Sequence, residues 1–196
     1  MRGPALLIAR HGETEWNRIG RWQGATDVPL NDTGREQARA LGESLRHAGV
    51  HGVASSDLSR AAETADIVAA VLGVPRLGAF AELRERGYGV FEGLTRRDCE
   101  TQFSEIWSKH TPGDLIEPPG AEPVAAVTAR MQQRLSALAA SFAEAGPFLV
   151  VSHGGAIRAF LASVAGDLVP PMENGETYRV RVEAGRFTTV EPLVAR

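Results

Sequence analysis

Ala5-Leu6-Leu7-Ile8-Ala9-Arg10-His11-Gly12 is the stretch that decides the fold. Ala5 to Ala9 is a continuous apolar run, the mark of a strand buried on both faces in a sheet covered by helices. The run stops at a histidine. A second run, Phe148-Leu149-Val150-Val151, reaches Ser152 and then His153. Two buried strands therefore deliver imidazoles at their carboxyl ends, where open α/β sheets bind ligands. If the strands are neighbours, His11 and His153 share one crevice.

Working outward, four segments carry helical periodicity. They are Ala38, Leu41, Leu45 and Ala48; Ala61, Ala65, Val68 and Leu72; Val124, Val127, Met131, Leu135, Leu138 and Phe142; and Ile157, Phe160, Leu161 and Val164, stopped by Gly166. Asn31 or Thr33 can cap the first, Thr33 in capping-box spacing with Glu36. Gly52 to Ser55 reads as an inner strand. Tyr178 to Val182 and Phe187 to Val190 read as a hairpin across Ala184-Gly185. Lys109 to Pro123, with its glycines and prolines, reads as a surface loop. Alternating strands and helices predict a layered α/β/α fold with a mostly parallel central sheet and an antiparallel edge. At 196 residues and 43% hydrophobic composition, the expectation is a single domain over 1–196.

Composition narrows the function classes. A net charge of -3 with no long basic block argues against nucleic acid or an anionic membrane as partner. Lys109 is the only lysine among 21 basic residues. Arginine suits bidentate oxyanion recognition, but genome composition explains such a bias as readily. The single cysteine, Cys99, rules out an intrachain disulfide and a cysteine-rich zinc site, and the apolar run at Ala5 is too short to span a membrane. The expected location is the cytoplasm.

Arg10-His11-Gly12-Glu13-Thr14 sets a guanidinium beside an imidazole directly after a strand, with Gly12 allowing close backbone approach to a ligand. Neutral imidazole is a competent nucleophile toward phosphorus. The bland alternative is a polar loop whose histidine bonds to backbone. Ser152-His153-Gly154-Gly155 repeats the layout: glycines open a helix whose first N–H groups, at Gly154 onward, can face a phosphate oxygen. A lipase-like His-Gly-Gly turn is the rival reading, yet no Gly-x-Ser-x-Gly occurs in the sequence. Arg60, in the first turn of the second helix, can reach over the strand ends as a phosphate ligand or be a surface arginine. No HExxH spacing appears, and Arg10 and Arg60 would oppose a cation, so no metal is expected.

Together these segments resemble the histidine phosphatase superfamily, in the branch shared by cofactor-dependent phosphoglycerate mutases and small broad-specificity phosphatases. The resemblance runs through RHGETEWN (10–17), QG (23–24), DVPLNDTG (27–34), SSDLSRAAETA (55–65), ELRERGYGVFEGLT (82–95), PPGAEPV (118–124) and SHGGAIR (152–158). It implies that His11 becomes phosphohistidine and that Arg10, Arg60 and His153 bind the phosphoryl oxygens. Asn17 matches a further phosphate ligand, while Gln23, Gly24 and Tyr88 match substrate-binding positions lining the pocket. Glu85 matches the proton donor to the leaving oxygen, with Glu82 and Glu92 as rivals.

The resemblance implies phosphomonoester hydrolysis through phosphohistidine on small phosphorylated metabolites, or alternatively cofactor-dependent phosphoglycerate mutase activity. Ala25 stands where mutases usually carry Trp, Phe91-Glu92-Gly93 resembles a phosphatase Trp-Glu-Gly, and the basic insertion of the mutases is missing. These departures favour the hydrolase; Glu85-Arg86-Gly87-Tyr88-Gly89 is mutase-like. A partner-binding module would have lost nucleophile, clamp or donor, and all are present. No cofactor is implied, except 2,3-bisphosphoglycerate in the mutase reading. The implied partner is a small phosphorylated metabolite, and the resemblance also allows a homodimer.

Overall fold

In the computed structural model, which describes residues 5–109, 115–142 and 146–193, the two apolar runs become the central strands. In chain order the strands are β1 (Ala5–Arg10), β2 (Val53–Ser56), β3 (Arg76–Phe80), β4 (Phe148–Ser152), β5 (Thr177–Glu183) and β6 (Arg186–Pro192). They form one sheet in the order β3-β2-β4-β1-β5-β6. β3, β2, β4 and β1 pair in parallel, whereas β5 runs antiparallel to β1 and β6 to β5. The predicted mostly parallel sheet with an antiparallel edge is what forms. Ala184 (φ 49°) and Gly185 (φ 74°) make the left-handed two-residue turn between the edge strands.

The helices are α1 (Glu15–Arg18), α2 (Asp32–Ser44), α3 (Ser59–Leu72), α4 (Arg96–Gln102), α5 (Ser104–Trp107), α6 (Val124–Ser141) and α7 (Gly154–Ala165). Alternation along each central strand divides the core. Leu7, Ala9, Leu149 and Val151 pack with Leu41, Ala61, Ala65 and Val68 of α2 and α3. Leu6, Ile8, Phe148 and Val150 pack with Val127, Met131, Leu135, Ile157 and Phe160 of α6 and α7. Each large side chain buried this way contributes roughly 1.5–3 kcal/mol. With both faces of the sheet covered, a ligand is left the rim at the strand ends.

Several boundaries differ from the sequence reading. Asn31, not Thr33, caps α2: its extended backbone lets Oδ1 accept the Gly34 N–H at 2.8 Å. The helix ends at Ser44, so Ala48 lies beyond it. The inner strand starts at Val53 rather than Gly52 and runs on to Ser56. β3 has no signal in the sequence pattern, because an edge strand of Arg76-Leu77-Gly78-Ala79-Phe80 has no continuous apolar run and carries Gly78 at φ 127°. α4, capped by Thr95 with Asp98, and α5 lie outside the four periodic segments. They carry a third apolar cluster of Phe91, Cys99 and Ile116 with Trp22, Phe103 and Trp107. Part of the predicted loop from Lys109 lies outside the described residues. Its described end is not merely surface, since Ile116 is buried and Tyr88 bridges to Ala121.

Candidate active site

The parallel pairing of β1 with β4 aligns Arg10 with Ser152, so His11 and His153 leave the sheet side by side. The His11 N–H extends the ladder by bonding the Ser152 carbonyl at 3.0 Å. The rings meet edge to face with centroids 5.0 Å apart, and both are buried.

Neighbouring groups fix the tautomers. His11 Nδ1 lies 2.6 Å from the Gly12 carbonyl. A carbonyl only accepts, so Nδ1 carries the proton and Nε2 keeps its lone pair. His153 is the opposite case. Arg60 Nε donates to its Nδ1 at 3.2 Å, and a guanidinium has nothing to accept with, so the proton of His153 sits on Nε2. That buried Nε2–H has no hydrogen-bond partner. Burial first, then the positive charge of Arg60, pushes both imidazoles well below their usual range; Arg10 adds to the effect on His11, which stays neutral in neutral solution.

The two arginines are held through carbonyls. Arg60, fully buried near the start of α3, donates Nη1 to Thr26 O at 2.8 Å and Nη2 to Gly24 O at 3.0 Å. Arg10, ending β1, donates Nη1 to Met172 O, and its buried Nε has no partner. Desolvation lowers the pKa of both guanidinium groups while Glu85 opposes the shift; both remain cations. Two guanidinium groups, an unpaired Nε–H and an unpaired imidazole N–H beside an imidazole lone pair form a cradle suited to a tetrahedral oxyanion.

Glu85 follows the short 3-10 turn Ala81–Leu83. Its Oε1 accepts Arg86 N at 2.8 Å and Ala156 N at 2.9 Å, and its Oε2 accepts Gly155 N at 3.1 Å. The second and third amides of α7, those of Gly155 and Ala156, therefore hold the Glu85 carboxylate, so of the opening amides expected to face a phosphate oxygen these two are turned to the donor instead. Gly154 itself lies against Arg10: a Cβ there would stand 3.4 Å from Arg10 Nε. Arg130 of α6 frames the donor loop from below, donating to Glu82 O, Arg84 O and Glu85 O and pairing with Glu122. The rival carboxylates are engaged elsewhere. Glu82 pairs with Arg134, and Glu92 accepts Tyr88 N and Ala25 N.

Gly12 also has a packing role that its sequence context does not show. A side chain there would meet the Gly34 carbonyl, 2.3 Å from an ideal Cβ, so its smallness lets the start of α2 dock on the His11 loop. Gln23 and Gly24 are brought to the site, Gln23 beside the Thr14 hydroxyl at 3.1 Å and Gly24 as the carbonyl that holds Arg60. Tyr88 is buried with its ring 4.6 Å from Trp22, and its hydroxyl lies where a Gly155 Cβ would be. Asn17 forms a capping box with Thr14 at the start of α1. Sequence reasoning missed Thr64, whose hydroxyl accepts the Gly12 N–H at 3.1 Å, and the segment from Met172 to Glu176 that straps Arg10. The Asn174-Gly175 dipeptide signals a turn, but nothing local says that the turn lands on β1.

Among the described residues, no group of three or more His, Cys, Asp and Glu side chains is clustered to hold a metal ion. No described helix is long and apolar enough to cross a membrane.

Comparison with known proteins agrees with this geometry. The chain is 38% identical over 170 residues to the probable phosphoglycerate mutase of Proteus mirabilis (strain HI4320), covering 82% of this chain and 74% of that one. It is 34% identical over 172 residues to the metal-independent phosphoserine phosphatase of Arabidopsis thaliana, covering 84% and 72%. Among solved structures, a mycobacterial glucosyl-3-phosphoglycerate phosphatase complexed with VO3 superposes with a TM-score of 0.82 at 26% identity, over 97% of this chain and 98% of that one. A family model matches residues 6–192, and with the paired imidazoles at adjoining strand ends it shows that the chain belongs to branch 1 of the histidine phosphatase superfamily.

Proposed function

We propose that the protein is a phosphomonoester hydrolase acting on small phosphorylated metabolites through a phosphohistidine at His11 Nε2. The observation that carries this reading is the opposed tautomers: His11 presents a lone pair where His153 presents an unpaired N–H. His11 Nε2 attacks phosphorus, forming the P–N bond as the P–O bond to the alcohol breaks. Glu85 takes the proton that the monoester monoanion brings and passes it to the departing oxygen. Arg10, Arg60 and the His153 Nε2–H stabilise charge on the three remaining oxygens, with Asn17 as a further ligand. Water then attacks on the face the alcohol has left, Glu85 takes its proton, and the P–N bond breaks to release phosphate and neutral imidazole. No metal or cofactor takes part in these steps.

Charge pairing supports hydrolysis over intramolecular transfer. On the donor loop Arg84 pairs with Asp57, and Arg86 is spent on Glu122 O, Ile116 O and Glu117. Neither is left to grip the carboxylate of a phosphoglycerate while it turns, as a mutase requires. The mutase reading rests on the Glu85-Arg86-Gly87-Tyr88-Gly89 segment and on the relative named as a probable mutase.

Rapid quench with a phosphorus-labelled monoester should trap an acid-labile, base-stable adduct that His11→Ala abolishes. Label on serine or aspartate, or wild-type turnover by His11→Ala, would overturn the assignment. With 3-phosphoglycerate, inorganic phosphate should be the main product by NMR; interconversion to 2-phosphoglycerate that is stimulated by 2,3-bisphosphoglycerate and outpaces phosphate release would select the mutase.

A further inference from the structure

We infer that Asn174 is a positioning residue that ties the nucleophile's backbone to Asn17 and turns the Asn17 amide toward the phosphoryl group; this rests on the phosphotransfer proposed at His11. Asn174 sits at the tip of a turn closed by Glu176 N on Glu173 O at 3.1 Å, with Gly175 at φ 81°. The turn is strapped to β1 on both sides of one residue. Gly175 N donates to Arg10 O at 3.1 Å, and Arg10 N donates to Glu176 O at 3.0 Å. The arginine of the cradle thus anchors the loop that presents Asn174.

From that tip a single nitrogen, Asn174 Nδ2, faces two acceptors. It lies 2.9 Å from the His11 carbonyl and 3.4 Å from Asn17 Oδ1. A primary amide has two N–H donors on one nitrogen and can serve both at once. On the His11 side, the bond adds to Gly12 N on Thr64 Oγ1 and His11 Nδ1 on Gly12 O, so the peptide carrying the nucleophile is held at both ends. On the other side, Asn17 Oδ1 receives Asn174 Nδ2 together with Thr14 N at 3.1 Å. With its oxygen occupied by donors, Asn17 has its Nδ2 side left to meet an oxyanion. Reversing that amide would set two N–H groups against Thr14 N and Asn174 Nδ2. The orientation of Asn17 is therefore set by Thr14 N and Oγ1 of its own capping box together with Asn174 from the strap on β1.

A role in shaping the turn and a role as donor make different predictions. Asp-Gly forms turns as readily as Asn-Gly, but an ionised Asp offers acceptors where the His11 and Asn17 oxygens need donors. Orthovanadate, as a pentacoordinate phosphoryl mimic, would be titrated by calorimetry into the wild type, Asn17→Ala, Asn174→Ala, the Asn17→Ala/Asn174→Ala pair and Asn174→Asp, with melting curves for each. Asn174→Ala, which adds no charge, should weaken vanadate about tenfold, the scale of one hydrogen bond to a charged group. The paired variant should lose less than the product of the two single losses, because the part of the Asn174 effect that runs through Asn17 is already gone. Asn174→Asp should bind at least as poorly as Asn174→Ala while melting near the wild type. Losses that multiply independently, or wild-type vanadate affinity in Asn174→Asp, would overturn the inference and leave the proposed function standing. A wild type that neither binds vanadate nor turns over a phosphomonoester would overturn both.

Discussion

Gly155→Ala separates the donor from the rest of the site without touching a charged residue. Gly155 is the second residue of α7, in helical backbone, where alanine ordinarily gains up to about 1 kcal/mol over glycine. Here the new Cβ would stand 2.2 Å from the Tyr88 hydroxyl and 2.8 Å from Glu85 Oε1. Tyr88 is only 8% exposed and is packed on Trp22, so its hydroxyl can yield little, and along with it the Glu85 carboxylate must move. Moving it breaks its bonds to Gly155 N and Ala156 N. At roughly 1.5–3 kcal/mol for each hydrogen bond to a charged group, that is enough to forfeit most of the ~10²- to 10⁴-fold contribution of a general acid. The expected outcome is a loss of about 10²- to 10³-fold in kcat/KM on an alkyl phosphate such as glycerol phosphate. Loss on p-nitrophenyl phosphate, whose leaving group needs little protonation, should be under about tenfold. Helix propensity and the clash oppose each other in stability, so the melting temperature should move by no more than about 5 °C. Glu85→Gln should show the same alkyl-to-aryl split, and combining the two should add little. Wild-type activity of Gly155→Ala on the alkyl substrate, or equal losses on both, would refute the role given to the carboxylate at the start of α7.

Three further outcomes follow from the same geometry. His153→Ala removes an oxyanion donor rather than the acid, so kcat should fall about 10²- to 10³-fold on alkyl and aryl phosphates alike; a loss confined to alkyl substrates would reassign His153 as the acid. Because the folded-state pKa values of His11 and His153 are depressed, the unfolded chain takes up protons near pH 6.5 that the folded chain refuses. Stability is therefore full above that pH and lost as pH falls below it, by roughly 1.4 kcal/mol per unit for each imidazole; a urea midpoint unchanged between pH 7.5 and 5.5 would contradict this. Dialysis against a chelator should leave turnover intact, and loss reversed by a divalent cation would point to metal-assisted hydrolysis instead.

The amino-acid sequence by itself determined the layered class and the chemistry-bearing residues. A strand buried on both faces must be apolar throughout, so β1 and β4 were visible as runs ending at His11 and His153, and the long helices were visible by their period. The glycine-flanked histidines and Arg60 were equally legible, because strand ends and first helical turns are local features. What lies between distant segments was decided only by the tertiary structure. β3 is an edge strand without a pattern of its own, held by its pairing with β2. That Gly34 packs against Gly12, and that Glu85 takes the Gly155 and Ala156 amides of α7, are contacts between segments far apart in the chain. The proton positions follow the same rule. Nothing near His153 in the chain fixes its tautomer; Arg60, brought to its Nδ1 by packing α3 beside β4, does. Local pattern is set by burial and backbone geometry of adjacent residues, whereas hydrogen-bond partners depend on which surfaces the folded chain brings within about 3 Å of one another.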